Sequence, residues 1–546
     1  MKLPVKLHPL LLTFGVLLAG CGGGSSNSSP ANSGIALQPP ASPLVRVSKA
    51  SPFSTNCGGA LSGSTSYQDA EVEPYVAVNP LNPSNLIGVW QQDRWSDGGA
   101  HGLMAGYSTD NGNTWHNQPL VMSICAGGDN ANNANYARAS DPWVTFSPNG
   151  TAYAISISFS GDSLTPSSIG GVLVSRSTDG GATWGTAQAL IVDGANAFDD
   201  KESITAEPHD SNYVYAVWDR LTADGLGPSY FSRTTDGGST WESARPIYDP
   251  GVDNQTIGNV IVVTPSGTLI DAFVEYEHTS SSSTSAFLKV IRSSDHGATW
   301  SAPVTVAQAE SIGIQDPNTG TWARTSSDLP QIAAGPGGEL AVVWQDARFS
   351  GGKRDGIALS RSSDDGLTWS SPIEINTDHT TPAFTPSVAI LADGTIGVSY
   401  FDFRNNTTDK SHLLTDYWFV SSMDGTHWSE QHISGPFDLD LAPNAEGLFI
   451  GDYQGLTVIG NAFVPFYVQT NNQGTDNRTD AYTLPPQPVP LVLTRKVSYV
   501  AHLEHSTTPD AAFSERTHRA IMQQLRAEQP GWDRIAAERR QHLSPP

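Results

Sequence analysis

Apolar and polar residues alternate in short runs along most of the chain. Val172-Leu173-Val174-Ser175-Arg176, Tyr230-Phe231-Ser232-Arg233 and Ile357-Ala358-Leu359-Ser360-Arg361 are clear cases. Such alternation predicts strands with one face buried. Each of these runs leads into a polar octapeptide that ends on Trp, and the octapeptide recurs: STDNGNTW at 108–115, STDGGATW at 177–184, TTDGGSTW at 234–241, SSDHGATW at 293–300 and SSDDGLTW at 362–369. A shortened copy, SMDGTHW, occupies 422–428. The repeated Asp falls at positions 110, 179, 236, 295, 364 and 424. A period of this length predicts an array of like structural units. Within each copy Asp can accept bonds from nearby backbone N–H groups, and Gly supplies a positive φ, so the octapeptide predicts a hairpin corner.

Upstream of each corner lie two more apolar runs. Unit one has Glu73 to Val78 and Leu86 to Arg94; unit five has Asp328 to Ala333 and Leu340 to Arg348; unit six has Pro386 to Ala389 and Ile396 to Arg404. Units two, three and four repeat the plan from Asp141, Glu202 and Val260. Strand, turn, strand, loop, strand, corner and strand make one blade of a β-propeller. A seventh unit has no octapeptide and three candidate strands, Asp452–Val458, Ala462–Tyr467 and Asp480–Thr483. The isolated run Leu44–Ser48 can supply its fourth. The expected fold is therefore all-β, a seven-bladed propeller of four-stranded antiparallel blades closed by both chain ends. Six blades plus an accessory hairpin is the alternative.

Chain direction sorts residues onto the two faces. Corners between third and fourth strands lie at one end; endings of second strands and beginnings of first strands lie at the other. The second group comprises Asp93-Arg94, Asp219-Arg220, Glu275, Asp346-Ala347-Arg348 and Asp402-Phe403-Arg404, with Glu73, Asp141, Glu202, Asp328 and Asp452-Tyr453. Two readings follow. The arginines can converge to hold a ligand carboxylate through bidentate bonds, or each Asp-Arg pair can belong to a salt bridge within its blade or between neighbouring blades.

Composition narrows the partners. The chain has 546 residues and a net charge of −25, from 29 basic and 54 acidic residues, which argues against nucleic acid or an anionic membrane surface as the main partner. Neither C-x-x-C nor H-E-x-x-H spacing occurs, so no metal and no cofactor is expected. Cys57 and Cys125 can form a disulfide in an oxidising compartment or remain free thiols.

The chain ends differ from the middle. Residues 1–20 read as an export signal, with Lys2 and Lys6 before an apolar core from Leu10 to Leu18. Leu18-Ala19-Gly20-Cys21 resembles a bacterial lipobox, which implies lipidation of Cys21. Residues 21–42 form a Gly/Ser/Asn tether, and 43–490 the propeller. Residues 491–546 form a locally basic tail. Its predicted helix starts near Thr508-Pro509-Asp510 with an apolar stripe of Phe513, Ile521 and Leu525; a second short helix follows Pro530-Gly531. The expected location is the cell envelope, with contact to the membrane through the lipid alone, and the expected state is a monomer.

The octapeptide resembles the Asp-box of the sialidase-like propellers, a fold that also serves other glycosidases and non-catalytic binding proteins. That resemblance implies a glycan or glycoprotein ligand. In sialidases three arginines hold the sugar carboxylate, a Tyr activated by a Glu is the nucleophile and an Asp is the acid/base, an exception among retaining glycosidases. Carried over to Trp90-x-x-Asp93-Arg94-x-x-Asp97-Gly98-Gly99, the resemblance implies Asp97 as acid/base and Arg94 as a substrate contact. It implies Tyr453 as nucleophile with Glu275 as its base, and Arg348 and Arg404 as carboxylate binders. Arg220, Asp93, Asp346, Asp402, Asp141 and Asp452 complete the expected binding rim. Two departures stand out. The family's Arg-Ile-Pro motif is absent where the first strand reads Val72-Glu73-Pro74-Tyr75, and unit four ends in Glu275-Tyr276-Glu277 without an Arg. An exo-glycosidase and a non-catalytic binding propeller are thus the two readings.

Overall fold

A computed structural model describes residues 44–59, 63–280, 283–325, 327–471, 477–486 and 511–528. The export signal, Cys21, the tether and the second tail helix lie outside them. Among the described residues there are seven runs of four antiparallel strands. Unit one is Glu71–Val78, Leu86–Arg94, Ala100–Ser108 and His116–Leu120. Units two to six follow the same plan, with first strands at Arg138–Phe146, Ala197–Ala206, Gln255–Val263, Gln331–Ala334 and Ala383–Ile390. The last run comprises Gly455–Ile459, Ala462–Thr470 and Thr479–Thr483, completed by Val45–Arg46 from the other end of the chain. Val45 pairs with Thr483 and Arg46 with Tyr482. The first strand of each unit adjoins that of the next, and the last adjoins Glu71–Val78. The ring is a β-propeller closed by strands from both chain ends.

Chemistry at the corners repeats with the sequence. In unit one the Asp110 carboxylate accepts from Thr114 N at 2.8 Å and Thr114 Oγ1 at 2.7 Å, and Ser108 Oγ accepts from Gly112 N at 2.9 Å. The same bonds recur around Asp179, Asp236, Asp295 and Asp364. In the shortened copy Asp424 accepts from Thr426 N and His427 N, both at 2.8 Å. Bonds to the ionised form favour it, and the Thr240 and Thr368 donors hold the Asp236 and Asp364 carboxyls down at about 2.

A second repeat ties each corner to its neighbour. The Arg just before an octapeptide donates to a carbonyl in the next one: Arg176 to Gly237 O at 3.0 Å, Arg233 to His296 O at 2.5 Å, Arg292 to Asp365 O at 2.5 Å and Arg361 to Asp424 O at 3.3 Å. Between sheets the core is built on second-strand tryptophans; Trp90, Trp218 and Trp344 are buried. Their ring N–H groups are satisfied inside the blade, by Gln92 at 3.0 Å, Asp199 at 2.9 Å and Asp346 at 2.8 Å. Truncating such a side chain costs about 3–5 kcal/mol.

Cys57 and Cys125 form a disulfide, with Cα atoms 5.6 Å apart. The described part of the tail is one helix, Ala511–Glu528. Its predicted stripe of Phe513, Ile521 and Leu525 is buried, and the latter two belong to the same core as Trp344 and Leu288.

Candidate functional site

Five of the first strands break register at one place. The shift falls between Val72 and Tyr75, Ser140 and Trp143, Asp200 and Ser203, Ile257 and Val260, and Phe384 and Ser387. Each is a β-bulge, and the bulged residue has a positive φ: Glu73 54°, Asp141 52°, Lys201 51°, Gly258 72° and Thr385 47°. Pro follows three of them, at 74, 142 and 386; a residue without an N–H is tolerated in a sheet at such a break. Holding a non-glycine residue there costs about 1–3 kcal/mol, and such strain clusters at functional sites. Three successive bulges carry charged residues, and the ring brings them together.

Lys201 Nζ stands 2.8 Å from Asp141 Oδ1, 2.6 Å from Asp452 Oδ2 and 3.6 Å from Glu73 Oε1. Arg324, from the link between units four and five, binds Asp452 with Nε at 3.0 Å and Nη2 at 2.6 Å. Gln91 donates to both Glu73 and Ser140, and Arg94 donates to Gln91 Oε1 at 2.7 Å. All of these side chains are buried. Burial opposes ionisation of Asp452, yet the Arg324 guanidinium and the Lys201 ammonium hold its carboxyl well below the usual range. Burial opposes the charge on Lys201 too, but Asp141, Asp452 and Glu73 outweigh it and push the ammonium well above its ordinary value. Glu73 goes the other way, raised by burial and by Asp141. The oxygens of Glu73, Asp141 and Asp452 lie close enough to share a metal ion, all within 4.8 Å of one another. The Lys201 ammonium supplies the cation among them.

Of the expected site residues, this cluster gathers Asp141 and Asp452, with Arg94 beside it. Tyr453 lies next to it, its ring packed edge-on to Trp143 at 5.2 Å and its hydroxyl donating to Pro142 O at 3.0 Å. Burial and the neighbouring carboxylates raise its hydroxyl well above the usual value. Tyr453, Trp143 and Lys201 border a cavity of about 20 Å³, room for about one water.

The other expected residues are committed to partners in their own or the adjoining blade. Asp97 pairs with Arg138 at 2.8 Å. Glu275 accepts from Tyr248 at 2.5 Å and pairs with Lys289 at 2.9 Å. Arg220 holds Asp193 with both terminal nitrogens, at 2.6 and 2.8 Å, and also Asp199. Arg348 holds Asp346 by Nε and Nη2, each at 2.8 Å. Arg404 binds Asp402 at 2.6 Å and Glu430 at 2.8 Å, and lies 3.6 Å over the Trp418 ring. Asp93 accepts from Ser51, Gln68 and His101. Thus Arg94, Arg348 and Arg404 do not meet over one ligand carboxylate; Arg348 and Arg404 pair within their own blades, and Arg220 bridges to Asp193 of the preceding one.

Two features of this face went unread in the sequence. One is the pair Lys201 and Arg324. Lys201 is signalled by alignment with Glu73 and Asp141 once the bulge is recognised; Arg324 sits in a link with no repeat to align. The other is a groove of about 760 Å³ beside units five and six. It is walled by the link at Ile312–Trp322, the unit-five loop at Ser350–Arg354, the link at His379–Pro382 and the C-terminal helix.

No protein-family model matches the chain, and no curated protein matches it. Among solved structures it is similar to the Penicillium chrysogenum α-L-arabinanase complexed with arabinobiose, at 12% identity over 77% of this chain and 98% of that one, TM-score 0.42. It is also similar to a Hadza microbial sialidase, at 18% identity over 76% and 66% of the two chains, TM-score 0.38. A third is a Trypanosoma rangeli sialidase mutant displaying trans-sialidase activity, at 14% identity over 81% and 59%, TM-score 0.41. The class defined by the chain's own strands is a propeller with a buried charged cluster on the face opposite its repeated corners.

Proposed function

We propose that this propeller recognises a glycan on the face opposite the corners and does so without hydrolysing it. One observation carries the reading: the groups that hydrolysis would use are separately committed. The Tyr453 hydroxyl donates its hydrogen bond to a backbone carbonyl beside a cavity the size of one water. Asp97 and Glu275 belong to ion pairs with Arg138 and Lys289. A nucleophile, its base and an acid have to surround one reacting atom, and these three share no partner. The open groove on the same face has a volume within the range of ligand sites, about 300–1,000 Å³.

The test pairs a glycan array with fluorogenic sialosides and related acidic glycosides. The expected outcome is selective binding on the array and no release of the aglycone. Release that Tyr453→Phe or Asp97→Asn abolishes would reverse the reading and make the chain a sialidase-like hydrolase.

A further inference from the structure

We propose that the groove beside units five and six binds an anionic saccharide, one bearing carboxylate or sulfate groups, and that the C-terminal helix is a working wall of that site. The proposal rests on the glycan-directed reading above and adds the ligand's charge and its place.

Charge is the first argument. Lys353, Arg354, Arg516 and Arg519 all line the groove, on a chain whose net charge is −25. Asp316 is the one carboxylate among the lining residues. It is buried, and its oxygens are turned into its own loop, accepting from Asn318 N at 2.8 Å and from Thr319 Oγ1. Among the described residues neither Lys353 nor Arg516 forms an ion pair. Arg519 pairs with Glu515 at 3.0 Å, but both side chains are 72% exposed; a pair so wet contributes little and yields readily to a ligand anion. Arg354 is held by Glu374 at 3.1 Å, which fixes its guanidinium at the groove wall. A positive pocket on an acidic protein is selective: the surrounding field repels a polyanion such as nucleic acid, while a short anionic ligand reaches the local cations.

Construction is the second argument. The helix is keyed to the unit-five loop at one point. Gly352 has φ 73° and lies against the Phe513 ring, where a Cβ would overlap the aromatic carbons. Arg516 Nε donates to Gly352 O at 2.9 Å. That register sets Arg516 and Arg519 on one helix face, three residues apart, in the same groove as Lys353 and Arg354. On the far wall Trp322 is seated against Gly313, φ 73°, where a side chain would collide with the indole. An indole and a few placed cations lining one groove are the composition of a small-ligand site, and they suit a sugar ring that carries an acidic group.

Calorimetric titration of the full-length protein tests this, with three oligosaccharides of equal length: uronic-acid-bearing, sulfated and neutral. One or both charged ligands are expected to bind at least about tenfold more tightly than the neutral one, with affinity falling as salt rises. The double variant Arg516→Glu/Arg519→Glu is expected to lose that advantage, and Lys353→Glu, on a different segment, to weaken it about tenfold. Lys410→Glu, an equal charge change on an exposed loop outside the groove, is expected to bind as the parent does. Equal losses in all variants, or binding of the neutral ligand that none of them alters, would overturn the proposal and leave the glycan reading standing. Absence of binding to any saccharide, here and on the array, would overturn both.

Discussion

The two ends of this propeller use repetition in opposite ways. At the corners the residues repeat and so do the bonds: in five copies the same Asp accepts the same Thr N–H and hydroxyl. At the other end the backbone repeats while the side chains diverge. The first-strand bulge recurs with a positive φ, yet it presents Glu73, Asp141, Lys201, Gly258 and Thr385 in turn. A position conserved in both geometry and residue is explained by what it does for its own blade. A position conserved in geometry alone costs strain wherever its residue is not Gly and gains nothing from uniformity. Its value lies in what different side chains do together, and here three of them, Glu73, Asp141 and Lys201, meet in a buried cluster neutralised with Asp452 and Arg324.

The sharpest way to break this comparison is to remove one member of the cluster. Lys201→Met leaves Asp141 and Asp452 buried without the ammonium that faces both. Removing one partner of a buried ion network costs about 3–5 kcal/mol, so the urea midpoint is expected to fall steeply. Adding Asp141→Asn to that background is expected to recover part of the loss, since Asp141, unlike Asp452 with its Arg324, pairs among the described residues with no other cation. A midpoint unchanged in Lys201→Met would mean that the cluster is not held by this cation.

A smaller effect is expected from the ties between corners. Arg233→Ala removes the donor to His296 O but leaves both octapeptides their own bonds. The loss of one such bond near the surface costs about 0.5–1.5 kcal/mol. Hydrogen exchange is expected to quicken at the corners of units three and four and not at the bulges. Protection lost throughout the ring would show that the corners are not independent, and would blur the contrast with the cluster.

The corners, the four-strand plan and closure by Val45–Arg46 were legible in the sequence because each rests on local pattern: alternation, a Gly turn, a spare strand. The division into two faces was legible because it follows from chain direction. What the charged rim does was not, since Asp346-Ala347-Arg348 and Asp402-Phe403-Arg404 spell both a ligand clamp and a self-paired turn, and only packing decides. The arginine returns to its own Asp because the same carboxylate also accepts a buried indole N–H, from Trp344 in one blade and Trp418 in the other. The bulge left a usable trace, Pro at 74, 142 and 386 inside runs that otherwise read as central strands. The groove left none: its walls come from two links, one loop and a helix far along the chain, and no periodicity joins them.

The least costly contrast between the two ends is their response to acid. In the corners the folded carboxyls of Asp236 and Asp364 lie at about 2, below the unfolded value of about 3.9. A group depressed in this way contributes stability that is present above the unfolded value and lost as pH falls through the folded one. The corner contribution is therefore expected to be whole above about pH 4 and to fade between about pH 4 and pH 2. Asp364→Asn removes one share of it, so the variant's unfolding midpoint is expected to lie below the parent's at neutral pH and to converge on it in acid. Glu73 in the cluster is shifted upward by burial, so its pH dependence runs the other way: its contribution is present below the unfolded value and lost as pH rises through the folded one. A difference between parent and Asp364→Asn that stays constant from pH 6 to pH 2 would mean that the corner Asp acts through its shape and not through its charge.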